Sequence, residues 1–98
     1  MYLKDIKFNS FDCELHIEEY QKGGAKALLL LDKEDGDYVA VATINIPELN
    51  LPKNEVVIKD YSENEGMYDL LHKEGIISEP INYIETGFVT CPVCTLLV

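Results

Sequence analysis

The residues of this 98-residue chain with the clearest chemical spacing are Cys91-Pro92-Val93-Cys94. Two thiolates separated by two residues match half of a structural zinc site, and such a site needs four ligands. Cys13 and His16, also two residues apart, form the matching half, so Cys13, His16, Cys91 and Cys94 are the candidate metal ligands. Against this, both pairs fall in segments that read as strands, where positions i and i+3 point to opposite faces. On that reading Cys13 is a core residue. A thioredoxin-like role for the same Cys pair requires a following helix whose dipole activates the thiol, and only TLLV follows it. Three Cys are an odd count, and a disulfide framework would leave one over. His72, the second histidine, suits the negative end of a helix. The acidic run Asp32-Lys33-Glu34-Asp35-Gly36-Asp37 lacks the loop spacing and closing Glu of a calcium-binding hand and reads as a hairpin tip. No Ser-His-Asp set, glycine-rich dinucleotide fingerprint or phosphate loop is present, and no Arg offers its bidentate fork. The chain therefore reads as a non-enzymatic protein. Zinc is the one cofactor its sequence suggests.

The remaining stretch of interest is Lys59 to Met67, KDYSENEGM, three carboxylates around one aromatic ring. Asp60, Tyr61, Glu63 and Glu65 make a candidate recognition surface with Tyr61 as anchor, and Asp35 and Asp37 are secondary candidates.

Elements must hold these residues in place. Phe11 to Glu18 alternates apolar and polar, with Phe11, Cys13, Leu15 and Ile17 on one face, and predicts a half-buried strand. Tyr2 to Phe8 alternates more loosely. Ala25 to Leu31 is nearly continuous apolar sequence and predicts a central strand, after a turn at Gln21–Gly24. Tyr38 to Ile46, YVAVATINI, is rich in β-branched residues and predicts one long strand. Glu55 to Lys59 is a further short strand beyond the Pro47–Pro52 loop. Ser62 with Glu65 three residues on forms a capping box. It opens a helix over 63–74, with Gly66 inside it, Met67, Leu70 and Leu71 as its apolar stripe, and Gly75 as its C-terminal stop. Pro80 is expected to break the chain, Asn82 to Glu85 to be a short strand, and Phe88 to Val98 to return into the sheet, with Pro92 demanding a bulge or an edge. The sum is an α+β domain spanning 1–98: a mainly antiparallel sheet of five to seven strands with one helix packed on one face.

Composition narrows the function. Eighteen acidic residues stand against eight Lys, and the net charge is −10. Residues 1–50 hold ten of the acids and five of the Lys, so both halves carry the same charge and no acidic tail exists. A nucleic-acid binder needs a basic patch, and anionic membranes repel such a surface. No apolar run reaches the roughly 20 residues of a membrane span, and the opening MYLKDIKFNS lacks the apolar centre of a signal peptide. The expected location is cytoplasmic. Spaced carboxylates resist aggregation, and they can also imitate a phosphate backbone before a basic protein. An open strand edge would permit a homodimer.

The run EVVIKDYSENEGMYDLLHKEGII and the ending TGFVTCPVCTLL resemble a family of small uncharacterised acidic proteins carried by conjugative elements and phages of Firmicutes and other gut bacteria. The resemblance covers residues 25–97. It implies an accessory gene of a mobile element, a setting in which small acidic proteins often inhibit host defence as anti-CRISPR or antirestriction proteins. The piece VVIKDY also resembles part of the antirestriction DNA mimics. The resemblance carries no assigned site residues. The expected partner is a basic host protein, a nucleic-acid-binding defence protein. The alternative is a zinc-stabilised interaction module built on Cys13, His16, Cys91 and Cys94.

Overall fold

The structure is a computed structural model that describes every residue from Met1 to Val98. Its first four strands follow the chain as an antiparallel meander: β1 (Tyr2–Phe8), β2 (Phe11–Glu19), β3 (Lys26–Asp32) and β4 (Tyr38–Val41), in the order β1-β2-β3-β4. The alternation read from β2 sets its faces. Cys13 and Leu15 are fully buried, and Asp12 and Glu18 are exposed. The pairing of Cys13 with Asp32, Leu15 with Leu30 and Ile17 with Leu28 stacks the apolar positions of β2 and β3 on one side.

The long strand expected over Tyr38 to Ile46 is interrupted at Ala42. Beyond it the chain enters a second antiparallel sheet: β5 (Thr43–Ile44), β6 (Glu55–Ile58), β7 (Ile77–Thr86) and β8 (Val89–Leu96), in the order β5-β6-β8-β7. The architecture is α+β and antiparallel throughout, with two four-stranded sheets in place of one sheet of five to seven strands. Ala42 is the corner. Its N–H donates to the Leu28 carbonyl in the first sheet at 2.8 Å, and its carbonyl accepts from the Lys59 N–H, just past β6, at 2.8 Å. Both backbone groups of a fully buried residue are thereby satisfied. Thr43, also buried, accepts the Leu28 N–H on Oγ1 at 3.3 Å and meets the Tyr20 hydroxyl at 2.9 Å.

The two sheets share a core of sixteen buried residues, among them Leu15, Leu28 and Leu30 from the first and Val56, Ile58 and Cys94 from the second. A single helix, α1 (Met67–Lys73), adds Met67 and Leu71 to that core. A smaller cluster of Val57, Cys91 and Val93 lies apart from it, with Tyr61 and Leu51 packed over it. The split follows from strand alternation, since Cys91 and Val93 are out of phase with Cys94 and Leu96 along β8.

The helix is shorter than the expected 63–74. Ser62–Asn64 form a 3₁₀ turn, Ser62 has a φ of +56° and its side chain makes no capping bond. Gly66 stands at the N-cap with a φ of +94°, which an interior helical residue cannot adopt. The capping box is therefore not formed. Its replacement is Asp60, whose Oδ1 accepts the Tyr68 N–H at 2.9 Å. What overrides the local signal is tertiary: Asn64 is buried and donates from Nδ2 to the Val41 carbonyl at 2.7 Å, drawing the turn onto the end of β4. The C-terminus follows the sequence. Gly75, with a φ of +75°, donates to His72 O, and Ile76 donates to Leu71 O. Those two bonds are a Schellman motif.

Pro80 does not break the chain. It lies within β7, an edge strand, and the register against β8 shifts on both sides of it. Pro92 lies in β8, between two strands. The Leu96 N–H reaches Asn54 O on the β6 side, and alternation puts position 92 on that side too. The β6 pairing ends at Val93, so no ladder bond is lost at Pro92.

Candidate binding surface

The segment leaving β6 holds the first group of candidate residues, and each has a different job. Asp60 is half-buried and its carboxylate faces inward to the helix N-terminus. Tyr61 is half-buried against the outer cluster of the second sheet, with Lys59 Nζ 5.6 Å from its ring centroid. Glu63 is exposed and pairs with Lys59 Nζ at 2.5 Å. That bond and a backbone hydrogen bond hold the Glu63 carboxyl below the usual range, and the same contact raises Lys59. Glu65 is exposed.

Asp35 and Asp37 are exposed at the tip between β3 and β4. Asp35 Oδ1 accepts the Asp37 N–H at 2.9 Å, and Asp32 Oδ1 accepts the Glu34 N–H at 2.8 Å. These carboxylates close the turn on itself in the manner of Asx turns.

A groove beside the first group is lined by one of the candidate contacts, Glu63. It runs along β4, has a volume of about 340 Å³, and is walled by Tyr38 to Val41 on one side and by Lys59, Glu63 and Asn64 on the other. Asp37 immediately precedes Tyr38 in the chain. Tyr38 is 70% exposed. Sequence reasoning missed this groove, because its two walls come from separate segments, 38–43 and 59–64, and the Asn64–Val41 bond that joins them has no local signal. The exposed Tyr38 beside Asp37 was the visible trace of it.

The net charge of −10 leaves the surface as a whole acidic. Lys4, Lys26, Lys33 and Lys59 are tied to Glu74, Glu19, Asp5 and Glu63 at 2.5–2.8 Å. Such exposed pairs contribute little to stability. Their effect is on charge: half of the lysines are neutralised in place, while Asp35, Asp37 and Glu65 face solvent.

The four candidate metal ligands are not brought together. Cys13 and Cys94 belong to the main core and Cys91 to the separate outer cluster. His16, on β2, points away from Cys13, contacts Glu14 Oε1 at 3.0 Å and sits edge-on to Tyr2. No group of three or more His, Cys, Asp or Glu is arranged to hold a metal ion. The three thiols are free and buried, and burial raises all of them, Cys94 to about 11. His72 stacks on Tyr68 in the last helical turn, with ring centroids 5.4 Å apart. No helix is long and apolar enough to cross a membrane.

Compared with known proteins, the chain matches no family model, no curated protein and no solved structure.

Proposed function

We propose that this chain is a non-enzymatic acidic binding protein of a mobile genetic element. It inhibits a host defence protein, in the anti-CRISPR or antirestriction manner, by covering that protein's basic, nucleic-acid-binding surface. The mobile-element setting comes from the resemblance of residues 25–97. The observation that supports the binding role is a net charge of −10 with Asp35, Asp37, Glu63 and Glu65 all exposed, Glu63 beside a groove along β4 where it pairs with Lys59. Carboxylates fixed at such spacing present a basic partner with charges at defined positions, as a phosphate backbone does. Asp60 and Tyr61 support this surface from beneath, since one caps the helix and the other packs on the second sheet.

The test is capture of host proteins on the intact chain at low and high salt, alongside the double variant Glu63→Lys, Glu65→Lys. Reversing two charges moves the net charge from −10 to about −6. The wild-type chain is expected to retain a basic nucleic-acid-binding protein at low salt and release it at high salt. The variant is expected to retain less and to show a flatter salt dependence. A partner held equally well at high salt, with no effect of the charge reversals, refutes the electrostatic mechanism.

A further inference from the structure

We infer that the open edge of β4 accepts an extended Lys- or Arg-rich segment of the partner as a fifth strand of the first sheet. This rests on the binding role proposed above and specifies how the partner is held.

The four sheet edges are not alike. Exposed edges are templates for further strands, and proteins guard them with charge, proline, irregular pairing or brevity. β1 carries Lys4, Asp5 and Lys7, with Lys4 tied to Glu74 on one side and Asp5 to Lys33 on the other. β7 carries Pro80 and two register shifts. β5 has two residues, and the Tyr20 hydroxyl covers the Thr43 carbonyl at 3.1 Å. β4 has the sequence Tyr-Val-Ala-Val, without charge or proline. Its one irregularity is a register shift between Leu30 and Leu31, next to Tyr38.

The backbone geometry of β4 fits an incoming strand. Ala42 donates its N–H to Leu28, so alternation turns the Val41 N–H and carbonyl away from β3. The Val41 carbonyl is taken by Asn64. Its N–H faces the groove, and Val41 is itself 38% exposed. Main-chain bonds of this kind give affinity, and flanking side chains give specificity.

Charge selects the occupant. Asp37 precedes Tyr38 at one end of the strand, and on the opposite wall Glu63 is paired with Lys59, so the surplus charge a partner meets is the chain's net −10. A second copy of the chain would bring together two molecules of charge −10. A basic segment meets opposite charge instead.

The probe is a capped octapeptide alternating Lys and Val, titrated into the 15N-labelled chain at low salt. Its twin has the same sequence with alternate backbone nitrogens methylated, which keeps the charge and puts methyl groups on the peptide edge that must approach the Val41 N–H. The unmodified peptide is expected to shift the amide signals of Val39 to Val41 and to bind at least about tenfold more tightly than its twin. Equal binding by the two peptides overturns strand addition and leaves the acidic-surface reading standing. Binding by neither overturns both. Shifts that map to β1 or β7 also overturn the assignment to β4.

Discussion

Replacing Asp60 by Ala removes the one side-chain acceptor at the start of α1. The helix has seven residues, and its N-cap is a glycine with nothing to offer the free N–H groups of the first turn. Asp60 supplies that acceptor from outside the helix, at 2.9 Å to Tyr68 N–H. Loss of a carboxylate cap of this kind costs about 1–2 kcal/mol. In a domain of this size that lowers the midpoint of thermal unfolding by roughly 4–15 °C. Asp60→Asn keeps an acceptor and loses the charge facing the helix dipole, so it is expected to cost only about 0.3–1 kcal/mol. Ser62→Ala and Glu65→Ala disrupt the capping box legible in the sequence, yet neither is expected to cost more than about 0.5 kcal/mol, because that box does not form. Urea unfolding of the four variants, followed by far-ultraviolet circular dichroism, gives the comparison. If Ser62→Ala proves as costly as Asp60→Ala, the helix begins where the sequence pattern puts it and the capping role of Asp60 is wrong. The experiment also bears on binding, since a weakened complex with Asp60→Ala would report a loosened helix and not a lost contact.

Other outcomes can be checked directly. The three thiols, all buried, should react with a thiol-specific disulfide reagent only as fast as the chain opens, and the purified protein should hold no stoichiometric zinc. Rapid labelling of any Cys in folded protein, or one zinc per chain, would contradict the burial described here. Stability should fall with alkaline pH: the folded chain keeps the Cys94 proton up to about pH 11 while the unfolded chain releases it near 9, so rising pH through that window favours unfolding. Cys13 and Cys91 are raised in the same direction, and Cys94→Ala should reduce the slope of urea midpoint against pH. Thr43→Val leaves the Leu28 N–H without its acceptor, while the Tyr20 hydroxyl keeps the Thr43 carbonyl, and should destabilise by about 1–3 kcal/mol, a loss absent from an exposed control such as Thr90→Val.

The parts of the fold legible in the sequence are those decided within a few residues. Alternation placed Cys13 and Leu15 inward on β2, and Gly75 ends the helix as its type predicts. The same alternation argument, applied to Cys91 and Cys94, anticipates their separation onto opposite faces of β8. The parts that were not legible depend on distant partners. Nothing in YVAVATINI marks Ala42 as a corner, because the break is made by bonds to Leu28 and Lys59 and not by a turn residue. Pro80 looks like a strand breaker until its edge position is known. Ser62 and Glu65 satisfy a capping pattern that the buried Asn64, tied to Val41, overrules. Of the candidate contacts, Glu63, Glu65, Asp35 and Asp37 lie at the surface as expected, whereas Asp60 is committed inward and Tyr61 is half-covered.

The corner at Ala42 has a consequence for how the molecule assembles. The first sheet is a run of consecutive hairpins, each closed by a short loop, and such local pairings form early and fast. The second sheet needs partners far apart in the chain, with Glu55 opposite Thr95 and Val57 opposite Val93, so its closure entropy is larger. Ala42 connects the two processes. Once β3 and β4 are paired, the Ala42 carbonyl is already held at the position where Lys59 must dock, and the first ladder of the second sheet begins from a fixed point. With the two sheets tied through both backbone groups of Ala42 and sharing one core, the domain is expected to unfold in urea in a single transition.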